Sequence, residues 1–208
     1  MKYIVASILA ATALATAGAA TAQDEGFYLS GFGGVSFFDD VSLESPIPTM
    51  TGATDTGFGF GGAMGYGLDN GLRFEGEVAY RQADIGEMTI GMVPIPADFS
   101  TDSLSVMANV WYDLPVDLGR FQPYVGGGIG LADTELSQNS PSVVTFADRV
   151  FAYQLGAGTS VDLGDGLEAF VQYRYFGADD PSAGFLGGDF DWNLASHNVE
   201  GGLRLWLN

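Results

Sequence analysis

Seven charged residues of this 208-residue chain recur at even spacings: Arg73, Glu75 and Glu77; Glu168 and Arg174; Glu200 and Arg204. Even spacing puts the members of each group on one face of a β-strand, because successive side chains alternate between faces. Guanidinium and carboxylate groups gathered on inward faces can do two things. They pair into a static network that fills an interior, or they exchange partners and open a small path through it. Charges are rarely buried unless paired, so the static plug is the expected state and the gate its alternative. Glu168 with Arg204 is placed near one end, and Arg174 with Glu200 nearer the middle.

Other chemistry is thinly represented. His197 is the sole histidine. A lipid-modifying enzyme would need a histidine with a serine and an acid on one face, and Ser196, its neighbour, points to the opposite face of a strand. Asp189, Asp191 and Asn193, with Glu200 at the twelfth position, mimic a calcium loop, but Leu194 stands where the sharp turn needs glycine. With no cysteine there is no disulfide, thiol nucleophile or thiolate site. No catalytic residue, cofactor or metal ligand is expected. Twenty-six acids against seven bases, a net charge of −19, argue against nucleic acid as a partner.

The elements that would position these residues follow from the same period of two. At Gly57–Leu68 the even positions are Phe58, Phe60, Gly62, Met64, Tyr66 and Leu68, and the odd ones are glycine or alanine. Asp69-Asn70-Gly71 is a tight-turn signal. Beyond it Leu72, Phe74, Val78 and Tyr80 alternate with Arg73, Glu75, Glu77 and Arg81. If the turn pairs residues 68 and 72, Gly67 faces Arg73, Gly65 faces Glu75 and Ala63 faces Glu77, small opposite long. The alternation places strands near 26–38, 57–68, 72–83, 102–113, 120–132, 149–162, 167–176 and 194–207. Short connections at 69–71, 114–119 and 163–166 alternate with long ones at 39–56, 84–101, 133–148 and 177–193. Eight strands with this rhythm predict an all-β fold, an eight-stranded antiparallel transmembrane β-barrel with short periplasmic turns and long extracellular loops.

A soluble barrel or sandwich would turn the oily face inward. The interior of an eight-stranded barrel is just wide enough for side chains. The set Phe58, Phe60, Tyr66, Phe74, Tyr80, Tyr112, Phe121, Phe151, Tyr153, Tyr173 and Tyr175 is too bulky for it. Facing lipid, the same residues fit, with aromatics as interfacial girdles. Residues 1–22 read as a signal peptide: Lys2, an apolar run from Ile4, then Ala20-Thr21-Ala22. Residues 23–208 are the expected barrel, and no later run is long enough for a membrane helix.

Four motifs resemble a known family: Gln122-Pro-Tyr-Val-Gly-Gly-Gly-Ile-Gly130, Ala152-Tyr-Gln-Leu-Gly-Ala-Gly158, Tyr173-Arg-Tyr-Phe176 and Ser196-His-Asn-Val-Glu-Gly-Gly-Leu-Arg204. In order, they are similar to the outer-membrane β-barrel family that includes the OmpA transmembrane domain and small surface proteins of alphaproteobacteria. The resemblance implies the outer membrane of a Gram-negative bacterium, contact with outer-membrane lipids and lipopolysaccharide, and handling by the barrel-assembly machinery. Such chains usually end in an aromatic residue, whereas this one ends Leu205-Trp206-Leu207-Asn208. The peptidoglycan-binding domain of full OmpA finds no room here.

The long connections hold Asp39, Asp40, Glu44, Asp55, Asp84, Glu87, Asp98, Asp133, Glu135, Asp148, Asp179, Asp180, Asp189 and Asp191, and no Lys or Arg. They suit a solvated surface, with divalent-cation bridging to anionic headgroups as the functional alternative. Pro46-Ile47-Pro48 and Met92-Val-Pro-Ile-Pro96 are candidate surfaces for extracellular protein ligands. The expected function is a structural outer-membrane protein supporting envelope integrity and surface interactions, its lumen plugged by the Arg/Glu network. A narrow porin of low conductance is the alternative, and a lipid-modifying barrel enzyme a third.

Overall fold

The computed structural model describes residues 25–38, 41–43, 50–53, 56–90, 93–116, 118–138, 144–178, 182–185, 188–191 and 194–207. The expected signal peptide, the Pro46–Pro48 patch, Met92 and the carboxylates Asp39, Asp40, Glu44, Asp55, Asp179 and Asp180 lie outside these residues. Eight long strands carry the architecture: β1 (Gly26–Phe38), β4 (Gly57–Gly67), β5 (Leu72–Ile90), β6 (Val93–Asp113), β7 (Phe121–Gln138), β8 (Val144–Gly164), β9 (Leu167–Ala178) and β12 (Leu194–Trp206). Four short ones decorate one end: β2 (Val41–Leu43), β3 (Met50–Ala53), β10 (Ser182–Phe185) and β11 (Gly188–Asp191).

The long strands pair antiparallel in the ring β1–β4–β5–β6–β7–β8–β9–β12, and β12 returns to β1 from Tyr28 opposite Trp206 to Phe38 opposite Ser196. Closure removes the unpaired edges that an open sheet would expose. It is the eight-stranded barrel that the alternation predicts. Among the short strands, β2 pairs with β3, β3 lies along β5 with Met50 opposite Ile90, and β10 and β11 form a hairpin.

Local chemistry sets the register. At the β4–β5 turn Asn70 Oδ1 accepts from the Leu72 amide at 3.1 Å, and Gly71 adopts φ +84°. That left-handed conformation suits glycine. The turn brings Gly67 opposite Arg73, Gly65 opposite Glu75 and Ala63 opposite Glu77. The β8–β9 turn uses Asp165 and Gly166, both at positive φ.

The strands run further than alternation alone marks. Residues 84–90, 93–101, 133–138 and 144–148, expected as loop, continue β5 to β8. The backbone ladder continues through them although the sequence there lacks a sustained apolar–polar alternation. Asp84, Glu87, Asp98, Asp133, Glu135 and Asp148 therefore stand on strands rather than in loops.

The two faces divide as charge and size demand. Phe27, Phe58, Met64, Phe74, Val106, Ile129, Leu155, Val171 and Leu203 are exposed on the outside. Aromatic contacts mark both rims: Phe27 with Tyr66 at 4.9 Å, Phe60 with Tyr80 at 5.5 Å, and Tyr153 with Tyr175 at 6.2 Å between ring centroids. The buried core is the lumen, where Arg73, Glu77, Arg81, Asn109, Gln154, Arg174 and Arg204 pack among Tyr28, Met107, Trp111, Tyr124 and Phe176.

Candidate functional site

The lumen is layered. At the periplasmic end Arg73 grips Asp113 with Nε and Nη2, at 2.9 and 2.8 Å, and its guanidinium lies 4.9 Å from the Tyr124 ring centroid. Beside it Arg204 Nη1 meets Glu168 Oε2 at 2.5 Å, while Trp206 Nε1 donates to the other Glu168 oxygen at 3.0 Å. Arg204 and Glu168 are opposite each other in the β9–β12 ladder.

One layer higher, Glu75 meets no arginine within ion-pair distance among the described residues. Its donors are neutral: Tyr28 Oη at 3.1 Å, Asn109 Nδ2 at 3.1 Å and Trp111 Nε1 at 3.2 Å. Arg174 forms the middle of the lumen. Its Nη1 lies 2.6 Å from Glu77 and 3.2 Å from Gln154 Oε1, and its Nη2 is 3.1 Å from Glu200. Asn109 and Gln154 tie into Glu77, Gln172 donates to Glu200 at 2.8 Å, and Tyr124 donates to Gln172 at 3.0 Å. The carboxylates thus carry hydrogen bonds besides their ion pairs, which is what a buried charge needs to persist.

Near the outer end Ser36 donates to Asn198 at 2.6 Å, and Arg81 donates through Nη1 to Ser105 at 3.0 Å while stacking 4.3 Å over Phe176. Small residues make room for these long side chains. A β-carbon on Gly65 would collide with the Tyr28 ring, and one on Gly128 with Asn109. Between Glu75, Trp111, Arg174 and Arg204 remains a space of about 10 Å³, enough for no more than one water molecule.

A closed ring of eight strands, oily outside and charged within, is the form of an outer-membrane barrel. A model of the outer membrane protein beta-barrel domain matches residues 6–197. The chain belongs to that family. An outer membrane protein of Gluconacetobacter diazotrophicus is 32% identical over 138 residues, 59% of this chain and 36% of the relative, so the chain spans about a third of that protein's length. The outer membrane protein PagN of Salmonella typhimurium is 27% identical over 79% of this chain and 80% of its own. Among solved structures, Neisserial surface protein A superposes with a TM-score of 0.53 at 19% identity, over 87% of this chain and 97% of that one. The fold and the family place the protein in the outer membrane of a Gram-negative bacterium, among its lipids.

The outside of this outer-membrane barrel carries its own polar contacts. His197 faces outward, its Nδ1 2.5 Å from the Tyr173 hydroxyl and its ring 5.3 Å from Tyr175, whereas Ser196 is fully buried in the lumen. Tyr80 donates to Asp102 on the outer wall. Above Leu131 and Phe151, Arg149 clasps Asp133 at 2.7 and 3.0 Å, and this contact holds the Asp133 carboxyl below its usual range. Asp189 and Asp191 stand on β11, while Glu200 is engaged by Arg174 and Gln172. The calcium-like spacing is thus split between a hairpin and the lumen.

Of the seven charged residues read from the sequence, Arg174 meets Glu77 and Glu200, Arg204 meets Glu168, and Arg73 and Glu75 turn to groups outside the set. Sequence reasoning missed Asp113 and the neutral lattice of Tyr28, Asn109, Tyr124, Gln154 and Gln172, and it set Arg81 on the inward face without including it in the network. The signal was parity: Asp113 shares the inward parity of Asn109 and Trp111, and Arg81 that of Arg73, Glu75 and Glu77.

Proposed function

We propose that the protein is a structural outer-membrane barrel that supports envelope integrity and surface interactions, and that its lumen is plugged by the Arg/Glu network. The observation that carries this reading is Arg174, bonded to Glu77 on one wall and Glu200 on another. Eight strands leave little free width, and the guanidinium of Arg174 spends it.

The barrel is not an enzyme in this reading. A lipid-modifying site on the outer wall would draw on His197, yet its ring is engaged by Tyr173 and the adjoining Ser196 points into the lumen. Lipopolysaccharide around the outer belt, the assembly machinery during biogenesis, and extracellular proteins at the loops are its partners.

Planar-bilayer recording of the pure protein tests the plug. The expected trace lacks stable large-conductance steps. Their appearance would replace the plug with the narrow porin. An unchanged lipid profile in a His197→Ala strain is the matching expectation against enzymatic activity.

A further inference from the structure

Arg73, Arg174 and Arg204 each pair with a carboxylate in the lumen, and Arg81 does not. Arg81 is only 2% exposed, held by Ser105 at Nη1 and by the face of Phe176. Its Nε and Nη2 are buried and meet no hydrogen-bond partner. Those two N–H groups share one edge of the planar guanidinium, and they point in parallel at the spacing of two oxygens of an oxyanion. The chain uses that same edge twice elsewhere, Arg73 toward Asp113 and Arg149 toward Asp133. A third donor adjoins it. Ser103 lies directly opposite Arg81 in the β5–β6 ladder, is buried, and its hydroxyl also lacks a partner. A buried charge and a buried hydroxyl left without acceptors are costly, and the two residues stand opposite each other across the β5–β6 ladder.

We propose that the Nε–Nη2 edge of Arg81, with the Ser103 hydroxyl, binds a small oxyanion of the phosphate or carboxylate class that enters from the extracellular end. β5 climbs from the periplasmic turn at Asn70-Gly71, which puts Arg81 toward the outer end of the lumen. Around Phe176 the inward face carries short side chains, Ala132, Ala152 and Ala178, packed in one buried cluster with Met107 and Val150. Stacking on Phe176 and the bond to Ser105 fix the plane and rotation of the guanidinium, so the edge is set before the ion arrives. The site does not depend on whether the lumen conducts.

The test titrates inorganic phosphate, and separately acetate, into the refolded barrel while following the arginine Nε–H resonances by NMR. One assigned resonance, that of Arg81, should shift saturably. Arg81→Lys keeps the charge but loses the fork, and should weaken binding about tenfold or more. Ser103→Ala leaves the fold intact and should weaken it by a smaller factor. No saturable shift with either ion in the unmodified barrel would overturn the site. So would an undiminished response in both variants.

Discussion

Arg174 on β9 and Glu77 on β5 meet across the full bore, Nη1 to Oε1 at 2.6 Å, from strands on opposite sides of the ring. Glu200, on the strand next to β9, takes the other end of the same guanidinium at 3.1 Å. Arg174 is therefore shared, and that decides how its variants behave. Removing one carboxylate leaves the arginine its second partner. Removing the arginine orphans two buried carboxylates.

Arg174→Met should accordingly destabilise the barrel more than Glu77→Ala or Glu200→Ala, by about 3–5 kcal/mol. Adding both Glu77→Gln and Glu200→Gln to Arg174→Met should recover part of the loss, since no uncompensated charge remains. Adding Glu200→Gln alone should recover less, because Glu77 is still stranded. Urea unfolding in detergent micelles measures all five, and equal effects of the three single changes would mean that Arg174 is not shared.

Arg81 should behave in the opposite sense. It has no carboxylate partner, so Arg81→Met removes a buried charge and keeps the packing on Phe176. In buffer free of oxyanions the variant should match or exceed the parent in stability, by about 1 kcal/mol. A clear loss would mean that the unpaired guanidinium stabilises the fold by itself.

Glycines should divide by face. Gly128→Ala drives a methyl group into Asn109 and the Ala108 carbonyl, which belong to a packed wall, and should impair folding. At Gly76, on the outer face, an added β-carbon meets nothing within 4 Å, so Gly76→Ala should be neutral or slightly stabilising. Heat-modifiable migration on gels distinguishes folded from unfolded barrel for both.

Topology is open to a direct test on intact cells. A cysteine placed at Asp180, between β9 and β10, should react with an impermeant maleimide, and one at Asn70, in the β4–β5 turn, should not. The reverse pattern would invert the barrel.

Much of this molecule is legible in its sequence, for a physical reason. Which face a strand residue occupies depends only on the parity of its position. Parity therefore assigned Phe74 and Val78 to lipid, Arg73 and Glu77 to the lumen, and separated His197 from Ser196. A two-residue turn is equally local, and Asn70-Gly71 fixed which glycines stand beside which charges. Eight alternating segments joined by short and long connections then left a transmembrane barrel as the architecture that puts the oily face outside.

Partner choice was not local. Whether Arg174 meets Glu77 depends on the tilt and stagger accumulated around the whole ring, and no spacing along the chain encodes the distance across a bore. The same accumulation carried Glu75 to Tyr28 and Trp111 instead of an arginine, and left the donor edge of Arg81 without an acceptor. Strand ends were hidden for the complementary reason. Alternation reports a contrast between two faces, and backbone pairing carries β5 to β8 past the last residues whose types show it. The sequence by itself determined the faces of the barrel, while tertiary closure alone decided which charges touch.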